Sequence, residues 1–110
     1  MNPEIIANLE KLLGGPRDGA LLRYSLGNEC LKAGAPDKAV TYLRTAVSLD
    51  PQYSAAWKLL GKALTTAGEA DAAKDAFTEG MRVAEAKGDV QAAKEMAVFA
   101  RRLRKAQMPD

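Results

Sequence analysis

The sequence predicts an all-α fold, six antiparallel helices stacked as a solenoid fragment. Three observations carry this. Alanine (21 residues) and leucine (13) far outnumber valine plus isoleucine (seven) and the aromatics (six). Alanine and leucine favour helices, whereas strands favour β-branched and aromatic side chains. Apolar residues recur at helical spacing between glycine and proline breaks, and the whole pattern repeats every 34 residues. A chain of 110 residues allows one domain.

The first helix begins at Asn2, a good cap, and Pro3, which suits the first helical position. Ile5, Ile6, Leu9, Leu12 and Leu13 give it an apolar face. After Gly14-Gly15-Pro16, Asp18 is the expected cap of a second helix carrying Leu22, Leu26, Cys30 and Ala33. Gly34 suits the left-handed residue past its end. Pro36 opens the third helix, whose face is Ala39, Val40, Leu43, Ala46 and Val47. Asp50-Pro51 repeats the cap-plus-proline start for a fourth helix with Trp57, Leu60, Gly61 and Leu64, ending at Gly68. A fifth helix over roughly 70–87 carries Ala73, Ala76, Phe77 and Val83 and stops at Gly88. Asp89 caps a sixth over roughly 90–106, with Val90, Ala93, Met96, Ala97, Phe99, Ala100 and Leu103 on its apolar side.

Shifting the chain by 34 residues superposes 20–53 on 54–87. Leu26 meets Leu60, Gly27 meets Gly61, Ala33 meets Ala67, Gly34 meets Gly68, Asp37 meets Asp71 and Ala39 meets Ala73. The unit is therefore helix, short turn, helix. Glycine inside a helix costs roughly 1 kcal/mol against alanine. Close helix contact near Gly27 and Ala39, and near Gly61 and Ala73, is the expected compensation. Extended backwards, the register places Ile5, Leu9 and Leu12 on the packing positions of a second helix. The first helix then reads as half of a truncated repeat, and the sixth, with Lys94, Arg101, Arg102, Arg104 and Lys105 on its outer side, as a terminal cap.

The spacing Trp57-x2-Leu60-Gly61-x2-Leu64, followed by Ala73-x3-Phe77, resembles the tetratricopeptide repeat. Leu26-Gly27, Cys30, Ala39, Leu43, Ala46 and Pro51 match the same pattern one repeat earlier. The resemblance covers residues 20–87. It departs at Arg23, where the family carries tryptophan, at Gly80, where alanine is usual, and at Glu85, where a proline would close the second repeat. It implies a right-handed α-solenoid, an α-α superhelix, with an N-terminal half-repeat helix over 1–17, repeats at 20–53 and 54–87, a capping helix over 89–106 and a tail over 107–110.

Charge and composition exclude several functions. Sixteen basic and 14 acidic residues give a net charge of +2, too balanced to imply nucleic-acid binding by itself. There is no histidine and one cysteine, which removes Ser-His-Asp and Cys-His chemistry, an internal disulfide and thiolate metal clusters. Cys30 falls on an apolar packing position and reads as an inert buried thiol. Asp71, Asp75 and Glu79, one turn apart, read as a solvated helix face. Gly14-Gly15 alone is no phosphate cradle. The expectation is no enzyme, no catalytic residue, no cofactor and no metal. The N-terminus lacks a basic start and a long apolar run, and no segment is long and apolar enough to span a membrane, which predicts a cytoplasmic protein.

The resemblance implies a protein-binding module whose first helices line a concave surface. That places Leu21, Tyr24, Ser25, Asn28, Leu31 and Lys32 from one repeat, and Ala55, Lys58, Leu59, Lys62, Thr65 and Thr66 from the next, in a peptide-binding groove. Asn28, Lys58 and Lys62 would converge on a carboxylate with no acidic residue among them, beside apolar Tyr24 and Leu59. A protein or peptide segment with acidic side chains or a C-terminal carboxylate suits such a groove. Some family members clamp the C-terminal carboxylate of heat-shock chaperones. Asn28 holds one clamp position, but Tyr24 and Leu59 stand where a lysine and a second asparagine belong. Two alternatives stay open. One is a self-associating scaffold, monomer or weak homodimer, paired through Ile5, Ile6, Leu9 or Phe99. The other is nucleic-acid binding by Arg101-Arg102-Leu103-Arg104-Lys105, which the lack of interleaved aromatics disfavours.

Overall fold

The computed structural model describes residues 3–109. Among them are six helices and no strand: α1 Pro3–Glu10, α2 Ala20–Lys32, α3 Pro36–Leu49, α4 Ser54–Thr66, α5 Ala70–Ala86 and α6 Val90–Gln107. Each helix packs on the next, and α2 touches α4 as α4 touches α6. The result is an elongated array of 46 × 31 × 19 Å, as expected for stacked hairpins in which each unit meets mainly its neighbours.

The turns are built alike. Gly34, Gly68 and Gly88 have φ of 79°, 81° and 77°, a left-handed region that side-chain-bearing residues seldom enter. The following amides of Ala35, Glu69 and Asp89 reach back to the carbonyls of Cys30, Leu64 and Ala84 at 2.9, 2.9 and 2.8 Å. These bonds satisfy carbonyls that the helix ends leave open. Pro36 is the first residue of α3, and Asp89 caps α6 by accepting from the Ala92 amide at 3.1 Å.

Two expected caps do other work. Asp18 does not cap α2, whose cap position is Gly19. Its carboxylate accepts from the Gly14 amide at 2.9 Å and pairs with Arg23 at 2.9 Å, tying the 14–19 loop to α2. The Arg23 guanidinium holds that carboxyl well below the usual carboxylate range. Arg23, the residue in place of tryptophan, is thus the anchor of that loop. Asp50-Pro51 does not start α4 either. It forms the turn after α3: Asp50 accepts from the Gln52 amide at 3.1 Å, and the Trp57 indole donates to the Pro51 carbonyl at 2.9 Å. Asn2, the expected cap of α1, lies outside the described residues. Leu12 and Leu13 fall in the turn after α1, which is shorter than expected.

The core runs through α2 to α6, with Leu26, Cys30, Leu43, Leu64, Phe77, Val83 and Met96 fully enclosed. The helix glycines are covered by large side chains rather than by small ones. A β-carbon at Gly27 would lie 2.7 Å from Leu43 Cδ2, and one at Gly61 would lie 2.6 Å from Phe77 Cδ1. Leu43 and Phe77 each stand 16 residues after the glycine they cover. Gly80, the substitute for alanine, leaves room for Met96 of α6 and for Trp57, whose Cβ would be 2.9 Å away. Trp57 itself is half-buried.

Candidate functional site

The first helices α2 and α4 carry all twelve residues expected in the groove, and none of the twelve is buried. Helical periodicity turns Leu22, Leu26 and Cys30, and on α4 Leu60 and Leu64, into the core. Residues between them are left on the open side. Leu21 is 69% exposed, while Tyr24, Ser25, Asn28, Leu31, Lys58, Leu59 and Lys62 are half-buried.

Four of them come together. Leu31, Lys62, Thr65 and Thr66, with Phe77 and Phe99, line a cleft of about 380 Å³ at the C-terminal ends of α2 and α4. Phe99 stacks on Phe77 with ring centroids 5.4 Å apart. Lys62 Nζ lies 5.1 Å from the Phe99 ring centroid, and the Arg102 guanidinium carbon lies 5.8 Å from it. Both are within cation–π range, which holds the cations over an apolar floor. The Thr65 and Thr66 hydroxyls donate to the carbonyls of Gly61 at 2.8 Å and Lys62 at 3.1 Å. Lys62 is the cation lining the cleft, and Arg102 stands beside it against the same Phe99 ring.

The other expected residues are engaged differently. Lys58 pairs with Glu95 of α6 at 3.6 Å, so its charge is met within the chain. The expected cluster of Asn28, Lys58 and Lys62 therefore has an acid beside it, supplied by α6. Lys32 pairs with Glu29 at 3.2 Å. Tyr24 packs against Tyr53 with centroids 5.0 Å apart, bridging α2 to the residue before α4, and burial raises the Tyr53 pKa. Cys30 is buried and its thiol is pushed up by desolvation, as its packing position implies.

Glu95, Phe99 and Arg102, which the sequence reading leaves in the terminal cap, stand beside the expected groove residues Lys58 and Lys62. The signal for them is a register shift. α5 runs to Ala86, because Glu85 stands where a proline would end it. α6 therefore follows α4 at 36 residues rather than 34. At that offset Met96 and Ala100 fall on Leu60 and Leu64, and all four are buried. α6 is a first helix, and it contributes to the same open surface.

A family profile described as tetratricopeptide repeat matches residues 31–97. This chain belongs to the tetratricopeptide repeat family. It is 47% identical over 102 residues to a TPR repeat-containing protein of Pseudomonas aeruginosa, covering 93% of this chain and 97% of that protein. Among solved structures it resembles a Bordetella parapertussis protein determined in solution. The TM-score is 0.79 at 40% identity, over 93% of this chain and 89% of the other. It also resembles YrrB, described as a TPR protein with an unusual peptide-binding site, with a TM-score of 0.61 at 26% identity over 96% and 62% of the two chains. The fold is a TPR-type helical solenoid and, like its family, a protein–protein interaction scaffold. Among the described residues, no helix is long and apolar enough to cross a membrane.

Proposed function

We propose that the chain is a non-catalytic adaptor whose concave surface holds a peptide segment, with an acidic side chain or C-terminal carboxylate seated at Lys62 and Arg102. The observation that carries this is the 380 Å³ cleft, where Lys62 stands over an apolar floor of Leu31, Phe77 and Phe99, with Arg102 against the same Phe99 ring. A cation held over a ring is already ordered, so recruiting it to a carboxylate immobilises little further side chain. The floor accepts an apolar residue next to the acid. Leu21 and the Tyr24–Tyr53 pair extend the apolar surface along α2 for an elongated ligand. The peptide-binding site of YrrB, a protein of the same fold, supports the reading. The Lys58–Glu95 pair argues against a clamp built on Lys58 and moves the anion position one helical turn along, to Lys62.

Calorimetric titration of short peptides combining Asp or Glu with Leu or Phe tests this. Wild type binds them over their amidated, acid-free counterparts. Lys62→Glu and Arg102→Glu each weaken binding about tenfold or more, equivalent to about 1.4 kcal/mol per decade. Thr78→Glu, on the exposed side of α5, leaves affinity unchanged. Equal binding by wild type and both charge reversals contradicts the proposal.

A further inference from the structure

We infer that this chain assembles head to tail, with α1 of a second copy docked on the uncovered face of α6. The helices alternate between two kinds. α2 and α4 are first helices, and each is covered on its glycine face by the helix that follows. α3 lays Leu43 over Gly27, and α5 lays Phe77 over Gly61. α6 repeats α4 at an offset of 36 residues, so Ala97 falls on Gly61, Ala93 on Trp57 and Val90 on Ser54. Among the described residues no helix follows to cover that face. It is an open cleft of about 360 Å³ lined by Met81, Val90, Ala93, Lys94 and Ala97 together with Glu85. Ser54 is 9% exposed, whereas Val90 is 59% exposed.

α1 is the complementary half. At the 34-residue offset Leu9 falls on Leu43, the residue that α3 lays over its glycine, and Ile5 precedes it by one turn. Ile6 packs against the core, while Ile5 is 40% exposed. α1 thus presents the apolar edge of a second helix, and α6 presents the unfilled face of a first helix. The contact continues the register in which α5 covers α4: a second helix with an apolar edge meets a first helix with an unfilled apolar face. The two surfaces differ, so the contact is heterologous and propagates rather than closing as a symmetric pair. This surface is separate from the peptide cleft, so either reading can fail without the other.

Sedimentation equilibrium on the whole chain tests it, over concentrations from about 10 μM to on the order of 1 mM. Wild type should exceed its 11.8 kDa monomer mass increasingly with concentration. Ile5→Glu and Val90→Glu, both at exposed positions, should each stay monomeric alone while retaining wild-type helical circular dichroism. Ile5→Lys gives a second α1 block, since it too sets a charge on the apolar edge. Mixed in equal amounts, Ile5→Glu and Val90→Glu should form a heterodimer of twice the monomer mass and no larger. The Val90→Glu copy supplies an intact α1, and the Ile5→Glu copy an intact α6. A wild type that stays monomeric throughout, association that survives in either single variant, or a mixture that fails to pair overturns the inference.

Discussion

The two ends of the array are both single helices added to complete hairpins, yet different forces fasten them. α6 is locked by burial: Met96 and Ala100 are enclosed, Met96 fills the space that Gly80 leaves, and Phe99 stacks on Phe77. α1 has no buried residue. Ile6 packs on the core only half-buried, and Glu10 adds a polar latch, accepting from the Tyr42 hydroxyl at 2.5 Å and pairing with Lys38 at 3.0 Å, both on α3. The hydrogen bond from Tyr42 and then the Lys38 contact lower the Glu10 pKa, while burial and Glu10 together push Tyr42 up to about 12. A helix held by apolar contact shares the cooperativity of the core. A helix held by a few partly exposed polar contacts can open alone. The lesson is that equal places in a repeat register do not imply equal local stability.

Mutations grade this contrast. Met96→Ala should cost about 2–5 kcal/mol, because it empties a fully enclosed site between α5 and α6. Chemical denaturation should show one cooperative transition at a lower midpoint. Survival of an unchanged midpoint would place α6 outside the cooperative unit. Gly61→Leu should cost about 1–3 kcal/mol or more by overpacking, since even a β-carbon there meets the Phe77 ring. Trp57→Ala should cost about 2–3 kcal/mol, toward the low end for a large aromatic, because the ring is half-buried and its indole bond is made to the Pro51 carbonyl.

At the other end the effects shrink. Glu10→Gln should change global stability by less than about 1 kcal/mol, in keeping with a partly exposed ion pair. It should nevertheless raise hydrogen exchange across α1 while leaving α4 to α6 protected. Acid should do the same. Glu10 and Asp18 both titrate below their ordinary values of 4.5 and 3.8 in the folded chain. Their contribution is therefore present above those values and is lost as pH falls through the lower folded ones. Amides of α1 and the 14–19 loop should deprotect first below about pH 4, before the core melts.

Much of this organisation is legible in the sequence because it is written in local chemistry. Gly34, Gly68 and Gly88 sit where the backbone turns left-handed, and Leu43 and Phe77 recur with the glycines they cover. What is hidden depends on distant partners. Asp18 has the composition of a cap, but Arg23 and the Gly14 amide claim it. Lys58 has the position of a groove cation, but Glu95 meets it from a helix whose register has slipped by two residues. A fixed 34-residue comparison cannot see that slip, so the nearness of Phe99 and Arg102 to Lys62 is not legible in it.

The central functional claim is that a ligand seats between α2, α4 and α6 beside Lys62 and Phe99. Amide-resolved NMR titration of the full chain with an acidic, leucine-containing peptide tests it most directly. The account predicts shifts concentrated in residues 21–32 and 55–66, strongest near Leu31, Lys62 and Thr66, with matching shifts at Phe99 and Arg102. Shifts confined to the outer faces of α3 and α5, with the Lys62–Phe99 cleft silent, would contradict it.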